Sequence, residues 1–477
     1  MATVLALDQG GHASRACLFD DEGLLVAEVQ RPIDTVRRGD DQVEHDAGQL
    51  AGTLIEMATQ VLERRPDLTP QCAALAVQRS TLVCFERQSL RPLAPALSWQ
   101  DRRAARWLAQ FHAAAPRVAA ITGLPLSPHY GVSKLHWCLT QLPAVRRAHE
   151  HAALVAGPLS AWLIARLTGG PAAADPANAS RTLLYDTRAR RWSDELLELF
   201  GIDAEVLPAC VPTRHDFGRL RLAGREIPLT AVTGDQSAVP FAQGSPDEHT
   251  LYINIGTGAF LQQPRRHWPA PCDGLLRGIL ASGMDDDAAW YSLEGTVNGA
   301  GSATGAYARQ HGLDEQQLWQ ALETLPDDAP LPLYINGVGG LGSPYWQPHL
   351  PSTFVGTGTT LQCFAAVVES LLFLIAANER CLRRCDGVPV RRIVVTGGLG
   401  RSGWLCQSLA DLLGMPVLRT DTEATLRGAA ALAAPGAARH WQSQATDVLE
   451  PRANPALLTR QSAFDAELQA ALARQVP

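Results

Sequence analysis

Strand-forming and helix-forming runs alternate along the chain, and twice a run of strand formers breaks at a tight glycine turn. The first is Leu5-Ala6-Leu7-Asp8-Gln9-Gly10-Gly11-His12, continuing into Ala16-Cys17-Leu18-Phe19. The second, about a domain later, is Leu251-Tyr252-Ile253-Asn254-Ile255-Gly256-Thr257-Gly258-Ala259-Phe260-Leu261. Apolar strand, glycine turn, apolar strand predicts a hairpin whose backbone N–H groups can approach an anion closely. Between them, Asp46 caps a helix with Leu50, Leu54, Ile55, Ala58, Val61 and Leu62 on one face. Cys72 to Val77 reads as a buried strand ending at Gln78-Arg79, with Leu82 to Phe85 as its partner and a helix over Asp101 to Phe111. Leu229 to Thr233 is another strand. Gly234-Asp235-Gln236 sits at its C-terminal end, where open α/β sheets bind ligands.

The plan repeats from about Asp247. After the second hairpin come a helix over Thr296 to Gln310 and a long helix over Leu361 to Cys385. The strand Arg392 to Thr396 ends in Gly397-Gly398-Leu399-Gly400, and a helix over Arg401 to Leu413 follows. A tail richer in Pro, Gln and Ala carries a helix near Ala463 to Ala473. At 477 residues the chain exceeds one ordinary core. The repeat sets the expected division: an α/β domain over 1–245, a second over 246–440 and a tail over 441–477.

Composition narrows the function. Hydrophobic content of 46% with 19% charged residues is that of a globular protein. A net charge of −7 without a basic block argues against nucleic acid or a membrane surface as partner. Met1-Ala2-Thr3-Val4 lacks the basic start of a signal peptide. The apolar stretch Leu361 to Ala377 contains Glu369 and is followed by Glu379 and Arg380, so it reads as a buried helix. Among ten scattered cysteines, Cys381 and Cys385 read as two core thiols in a reducing cytoplasm. Lys134 is the single lysine in a chain with 41 Lys plus Arg. Either it survives by chance, or it marks a place for a compact ammonium where a guanidinium fork does not fit.

Ten short stretches, in order, are similar to those of the FGGY carbohydrate kinases, the glycerol-kinase branch most closely. They are Leu7-Asp8-Gln9-Gly10, Val43-Glu44-His45-Asp46, Gln78-Arg79, Trp99-Gln100-Asp101-Arg102-Arg103 and Asn178-Ala179-Ser180-Arg181-Thr182. The others are Gly234-Asp235-Gln236, Gly256-Thr257-Gly258, Leu293-Glu294-Gly295, Gly340-Leu341-Gly342-Ser343-Pro344-Tyr345-Trp346 and Gly397-Gly398. The resemblance implies two actin-like ATPase (ribonuclease H-like) domains about a cleft, the first binding the sugar and the second the nucleotide. It also implies ATP and Mg2+ as cofactors, a small sugar or polyol as substrate and a cytoplasmic location, with homodimerisation left open.

Phosphorylating a hydroxyl needs a base, a cation for the phosphates and a rigid cradle. Asp235 matches the family's catalytic aspartate and is the expected base; capping the helix that starts near Ser237 is its structural alternative. Asp8, beside the first glycine turn, is placed to hold Mg2+ through water together with Asp235, or merely to form an Asx turn. Gly10, Gly11 and His12 make the first phosphate turn, and Thr257 offers a hydroxyl and an N–H in the second. Arg15 faces either the phosphates or Asp20. By the resemblance, Gly301 and Gly305 line the nucleotide wall, unless they are a close-packing pair. Gly398 admits the purine or ribose, and Ser402 sits beside the adenine. On the sugar side Arg79, Trp99, Gln236 and Phe260 match positions that contact or wall in a polyol, and Ser80 and His129 fall in the same pocket.

The departures fall on these positions. Gly11-His12 stand where the family has hydroxyl residues. Ser80 replaces a glutamate that binds polyol hydroxyls in the glycerol-kinase branch. His129 replaces a tyrosine, with Tyr130 one position later, and His349-Leu350-Pro351-Ser352 lacks the usual Arg-Gly step. Losing an acceptor for a substrate hydroxyl costs orders of magnitude in specificity. Two readings follow: a kinase with a re-cut pocket for a pentulose or other polyol rather than glycerol, or a weak or inactive member acting as a ligand-binding sensor. Retention of Asp8, Asp235 and Gly256-Thr257-Gly258 favours the enzyme.

Overall fold

Thr3–Gln9 (β1) and Ala13–Phe19 (β2) form the first hairpin, in antiparallel register from Val4 opposite Phe19 to Gln9 opposite Ser14. The computed structural model describes residues 3–283, 288–385, 387–420, 423–441 and 445–474. Leu25–Pro32 (β3) extends the hairpin, and Ala47–Arg64 (α1) lies across it. Asp46 caps α1 by accepting from the Gln49 N–H at 3.0 Å, and Leu50, Leu54, Ala58, Val61 and Leu62 are buried beneath it. Pro70–Val77 (β4) pairs in parallel with β1. Leu82–Glu86 (β5) does not pair with β4 as the sequence suggested. It joins a separate five-stranded sheet, beside Ala96–Leu97 and, beyond the helix Gly131–Gln141 (α2), Leu154–Pro158 (β6). The reason is that the free edge of β4 is already taken. Arg219–Leu222 (β7) and Arg225–Gly234 (β8) form a hairpin, and β8 pairs in parallel with β4. Ser80, at φ 67°, turns the chain away just after Arg79. The helix expected over 101–111 also starts late. Asp101 accepts from the Val43 N–H at 2.8 Å and pairs with Arg103, so regular helix is confined to Ala105–Leu108, followed by a 3₁₀ stretch, Ala109–Ala114.

The second half builds Thr250–Ile255 (β9), Ala259–Arg265 (β10), Leu276–Ala281 (β11) and Trp290–Val297 (β12) into one sheet. Thr296 and Val297 end β12 opposite Phe260 and Ala259 instead of opening a helix; the helix is Gly301–Gln310 (α3). Thr360–Arg384 (α4) is followed by Arg392–Thr396 (β13), Gly403–Leu413 (α5), Val417–Thr420 (β14), Ala424–Ala433 (α6), Ala445–Leu449 (β15) and Pro455–Ala473 (α7). By length and composition α4 is apolar enough to cross a membrane, yet it is a buried core helix. Its buried Glu369 pairs with Arg460 of α7 at 2.6 Å. Cys385, just past α4, is bridged to Cys272 as a disulfide with Cα atoms 5.8 Å apart, so Cys381 and Cys385 are not a pair of free core thiols. The tail is integral to this half: β15 pairs with β14, and α7 buries Leu457, Phe464 and Leu468 in its core.

From each hairpin outward, β3-β2-β1-β4-β8-β7 and β12-β10-β9-β13-β14-β15 carry the same pairings: antiparallel, antiparallel, parallel, parallel, antiparallel. α6, although it comes in the second half of the chain, packs against the first sheet. In β1 the side chains alternate, with Leu5 and Leu7 facing α1 and Val4 and Ala6 facing α6. Ala74, Ala76 and Ala231 on the sheet meet Ala429 and Ala430 on α6, and small residues on both sides let helix and sheet approach closely. Arg427 of α6 is fully buried and donates to the Gly23 carbonyl at 2.9 Å.

Candidate functional site

Register brings the chemistry together. Asp8 lies opposite Ala76, Gln9 opposite Val77, and Gly234 opposite the same Val77, so Asp8, Arg79 and Asp235 emerge at one end of the sheet, past the carboxyl ends of its strands. In the second half Asn254 lies opposite Thr396, which sets Gly256-Thr257-Gly258 beside Gly397-Gly398. The two strand ends meet: the Asn254 side-chain amide donates to Gln236 Oε1 at 3.1 Å.

Asp8 is buried, its Oδ1 has no hydrogen-bond partner, and burial together with the Asp235 charge pushes its carboxyl up to about 7. Burial also raises Asp235, against the pull of Arg79, whose Nε lies 3.9 Å from Asp235 Oδ1. The Gln236 N–H donates to Asp235 Oδ1 at 2.7 Å. Among the described residues no cluster of three or more His, Cys, Asp or Glu side chains could cage a metal.

Around the sugar side, the Trp99 and His129 rings stack with centroids 6.4 Å apart. His129 Nδ1 lies 3.1 Å from the Trp99 carbonyl. A carbonyl only accepts, so Nδ1 carries the proton and Nε2 is an acceptor. Burial pushes His129 down to about 4, which keeps the ring neutral. Lys134 explains the geometry of this turn: its buried ammonium donates to the His129 and Pro128 carbonyls. Gly11 has a packing reason, since a Cβ there would lie 3.2 Å from Trp99 Nε1 and 3.3 Å from Gln78 Oε1. Ser80 is half-buried in its left-handed turn, and Phe260 lies on β10, opposite Asn254 on one side and Thr296 on the other.

On the nucleotide side the picture is mixed. The Gly10 N–H is engaged by the Ala13 carbonyl at 3.0 Å, and His12 is exposed at the hairpin tip. Arg15 pairs not with Asp20 but with Glu423, its Nη1 lying 2.6 Å from that carboxylate. Asp20 instead accepts from the Glu22 and Leu24 N–H groups. Thr257 is exposed, and Gly301 opens α3 against the second turn, its N–H donating to the Gly256 carbonyl at 3.0 Å. Gly305 faces Arg309 and Glu315 rather than the turn. Gly398 borders open space, whereas the Ser402 hydroxyl caps α5 and donates to Glu323 at 2.8 Å.

Sequence reasoning assigned no role to Glu294 or, Arg79 apart, to the residues that hold it. Glu294 on β12 accepts from Arg79 Nη1 at 3.2 Å and from Arg181 Nη2 at 2.6 Å, with Ser292 Oγ at 2.9 Å on its other oxygen. Burial pushes the Glu294 carboxyl up, but Arg181 and Arg79 together outweigh it and bring it down to about 2. Tyr130 lies beside Arg181 in the same cluster. Gly278 makes the space, because a Cβ there would overlap the Glu294 carboxylate. The available signal was a glutamate inside a fully buried-looking strand without other charged residues, Tyr291-Ser292-Leu293-Glu294-Gly295.

Two family descriptions match almost end to end: "FGGY family of carbohydrate kinases, N-terminal domain" over residues 3–251 and the corresponding C-terminal domain over 251–437. The glycerol kinase of Leptothrix cholodnii is 34% identical over 452 residues, covering 91% of this chain and 90% of the relative. That of Thermus brockianus is 35% identical over 443 residues, covering 90% and 89%. Among solved structures, Plasmodium falciparum glycerol kinase with ADP superposes with a TM-score of 0.88 at 21% identity, covering 100% of this chain and 99% of that one. Ligand-bound xylulose kinase from Lactobacillus acidophilus gives 0.84 at 20% identity, covering 100% and 99%. These likenesses show the fold, the two-domain actin-like ATPase architecture. With both domain descriptions and full-length relatives in agreement, the chain belongs to the FGGY family of carbohydrate kinases.

Proposed function

We propose that the protein transfers the terminal phosphoryl group of ATP to a hydroxyl of a small sugar or polyol other than glycerol, of pentulose or similar size, with Asp235 as general base. The observation that carries this reading is the convergence of Asp8, Arg79 and Asp235 at the carboxyl ends of β1, β4 and β8, next to the Gln236–Asn254 contact with the second half. Asp235 takes the proton from the attacking hydroxyl, while Arg79 orients that hydroxyl and Gln236 closes the pocket towards the nucleotide half. Thr257 and the Gly398 backbone are offered to the nucleotide.

The residues fit a magnesium ion. Asp8 has a buried, unpartnered oxygen, and its carboxyl is held up beside Asp235, so a cation near the two would relieve both. With so few protein oxygens, most ligands would be water and phosphate, as Mg2+ prefers. When bound, the ion neutralises phosphate charge.

The relatives are named for glycerol, but this pocket is cut differently. By the resemblance, Ser80 replaces a glutamate and so removes bulk and charge, while the neutral His129 offers one acceptor nitrogen. A larger polyol uses that space, and glycerol leaves it unfilled. A sensor without turnover has no observation in its favour.

Asp235→Asn tests the chemistry. Its kcat and kcat/KM should fall together by ~10²–10⁴, with ADP affinity nearly unchanged. A variant keeping more than about a tenth of wild-type kcat would remove Asp235 from the base role.

A further inference from the structure

The geometry points to Glu294 as a positioning residue that reaches across the cleft and holds Arg79 in its working place beside Asp235. The inference rests on the kinase reading above but can be tested apart from it.

Arg79 stands at the end of β4 in the first half, and Glu294 stands on β12 in the second. Glu294 Oε2 engages Arg79 Nη1 at 3.2 Å, leaving the Arg79 Nε 3.9 Å from Asp235 Oδ1, beyond hydrogen-bond distance. An arginine fork left to itself beside a buried carboxylate closes to a charge-assisted bidentate pair. Such a pair would occupy the Asp235 oxygens that must receive the substrate proton. Glu294 prevents it by drawing the guanidinium the other way. Its own position is over-determined: Arg181 Nη2 lies at 2.6 Å, Ser292 Oγ at 2.9 Å, and Gly278 leaves room where any side chain would collide. Arg79 also forms one wall of the proposed sugar pocket, so a residue of the nucleotide half sets the shape of the sugar site.

Glu294→Gln keeps the volume and removes the charge. In crystals of this variant the Arg79 guanidinium should lie within about 3 Å of Asp235. The kcat/KM for the sugar or polyol should fall about tenfold, with KM for ATP unchanged, and Glu294→Asp should restore part of it. A purely structural role would instead lower stability and leave the Arg79 position and this split untouched. Arg79 remaining about 3.9 Å from Asp235, or wild-type kinetics, overturns the inference. Should Glu294→Gln not fold, Ser292→Ala decides, since it loosens the same carboxylate without uncovering a charge. A fall of about threefold in acceptor kcat/KM supports the inference and wild-type kinetics overturns it. If no acceptor is phosphorylated by the wild type, the kinase reading fails, and the Arg79–Asp235 distance in the variant still decides this inference.

Discussion

Lys134 is the one lysine of the chain, and its surroundings say why a lysine stands there. Two backbone carbonyls, of Pro128 and His129, converge on a buried point where a small ammonium fits and a planar fork does not. The cost is electrostatic: burial pushes Lys134 down to about 7, despite the nearby Asp101. Between about pH 7 and the unfolded value near 10.4, the unfolded chain therefore binds a proton that the folded one does not. Stability should rise with pH across that window, because the unfolded state binds more protons there. Lys134→Met has no such group. Urea midpoints at pH 7 and pH 9 should separate wild type and variant, with the wild type gaining relative to Lys134→Met at the higher pH. Equal changes in both would show that Lys134 keeps an ordinary affinity for its proton.

At the scale of elements, the structure depends on how closely α6 lies on the first sheet. A Cβ on Gly428 would run into the Ala238 backbone carbonyl, in the helical turn that Asp235 opens. Gly428→Ala should cost about 1–3 kcal/mol, typical of overpacking, and lower kcat by shifting Asp235. A thermal melt paired with activity at saturating substrates checks it, and wild-type behaviour in both would mean that α6 has slack. Much of the element plan was legible because its signals are local. The alternation in Leu5-Ala6-Leu7 and Tyr252-Ile253-Asn254, the glycine turns and the Asp46 cap each act within a few residues. What escaped is non-local. The partner of β5 depends on β8, some 140 residues later, taking the edge of β4. The end of β12 depends on pairing with β10 rather than on the helix-forming residues that follow. The site divides the same way: Asp8 and Asp235 stand beside glycines that mark them, whereas Glu294 acquires meaning only when Arg79 and Arg181 arrive from the other half of the chain. Asp20 was the local candidate to pair with Arg15, but Glu423 reaches it from a segment some 400 residues on.

As a whole, the molecule is two copies of one sheet plan with their parallel-strand ends turned towards each other, joined by Gln236–Asn254 and Arg79–Glu294 across the cleft and by α6 behind it. In the proposed reaction such a clasp brings a nucleotide from one half to a hydroxyl held by the other, and the residues of the proposed sugar pocket decide which hydroxyl. The chain resembles glycerol kinases along nine-tenths of its length, and the proposed difference in substrate rests on Ser80 and His129. The most direct test is ADP release, followed by a coupled assay with saturating ATP and Mg2+, over a panel of glycerol, tetritols, pentuloses and pentitols. Turnover with a pentulose or larger polyol, and a kcat/KM for glycerol lower by at least about a hundredfold, is expected from the missing hydroxyl acceptor. Efficient phosphorylation of glycerol, or no turnover with any member of the panel, would contradict it.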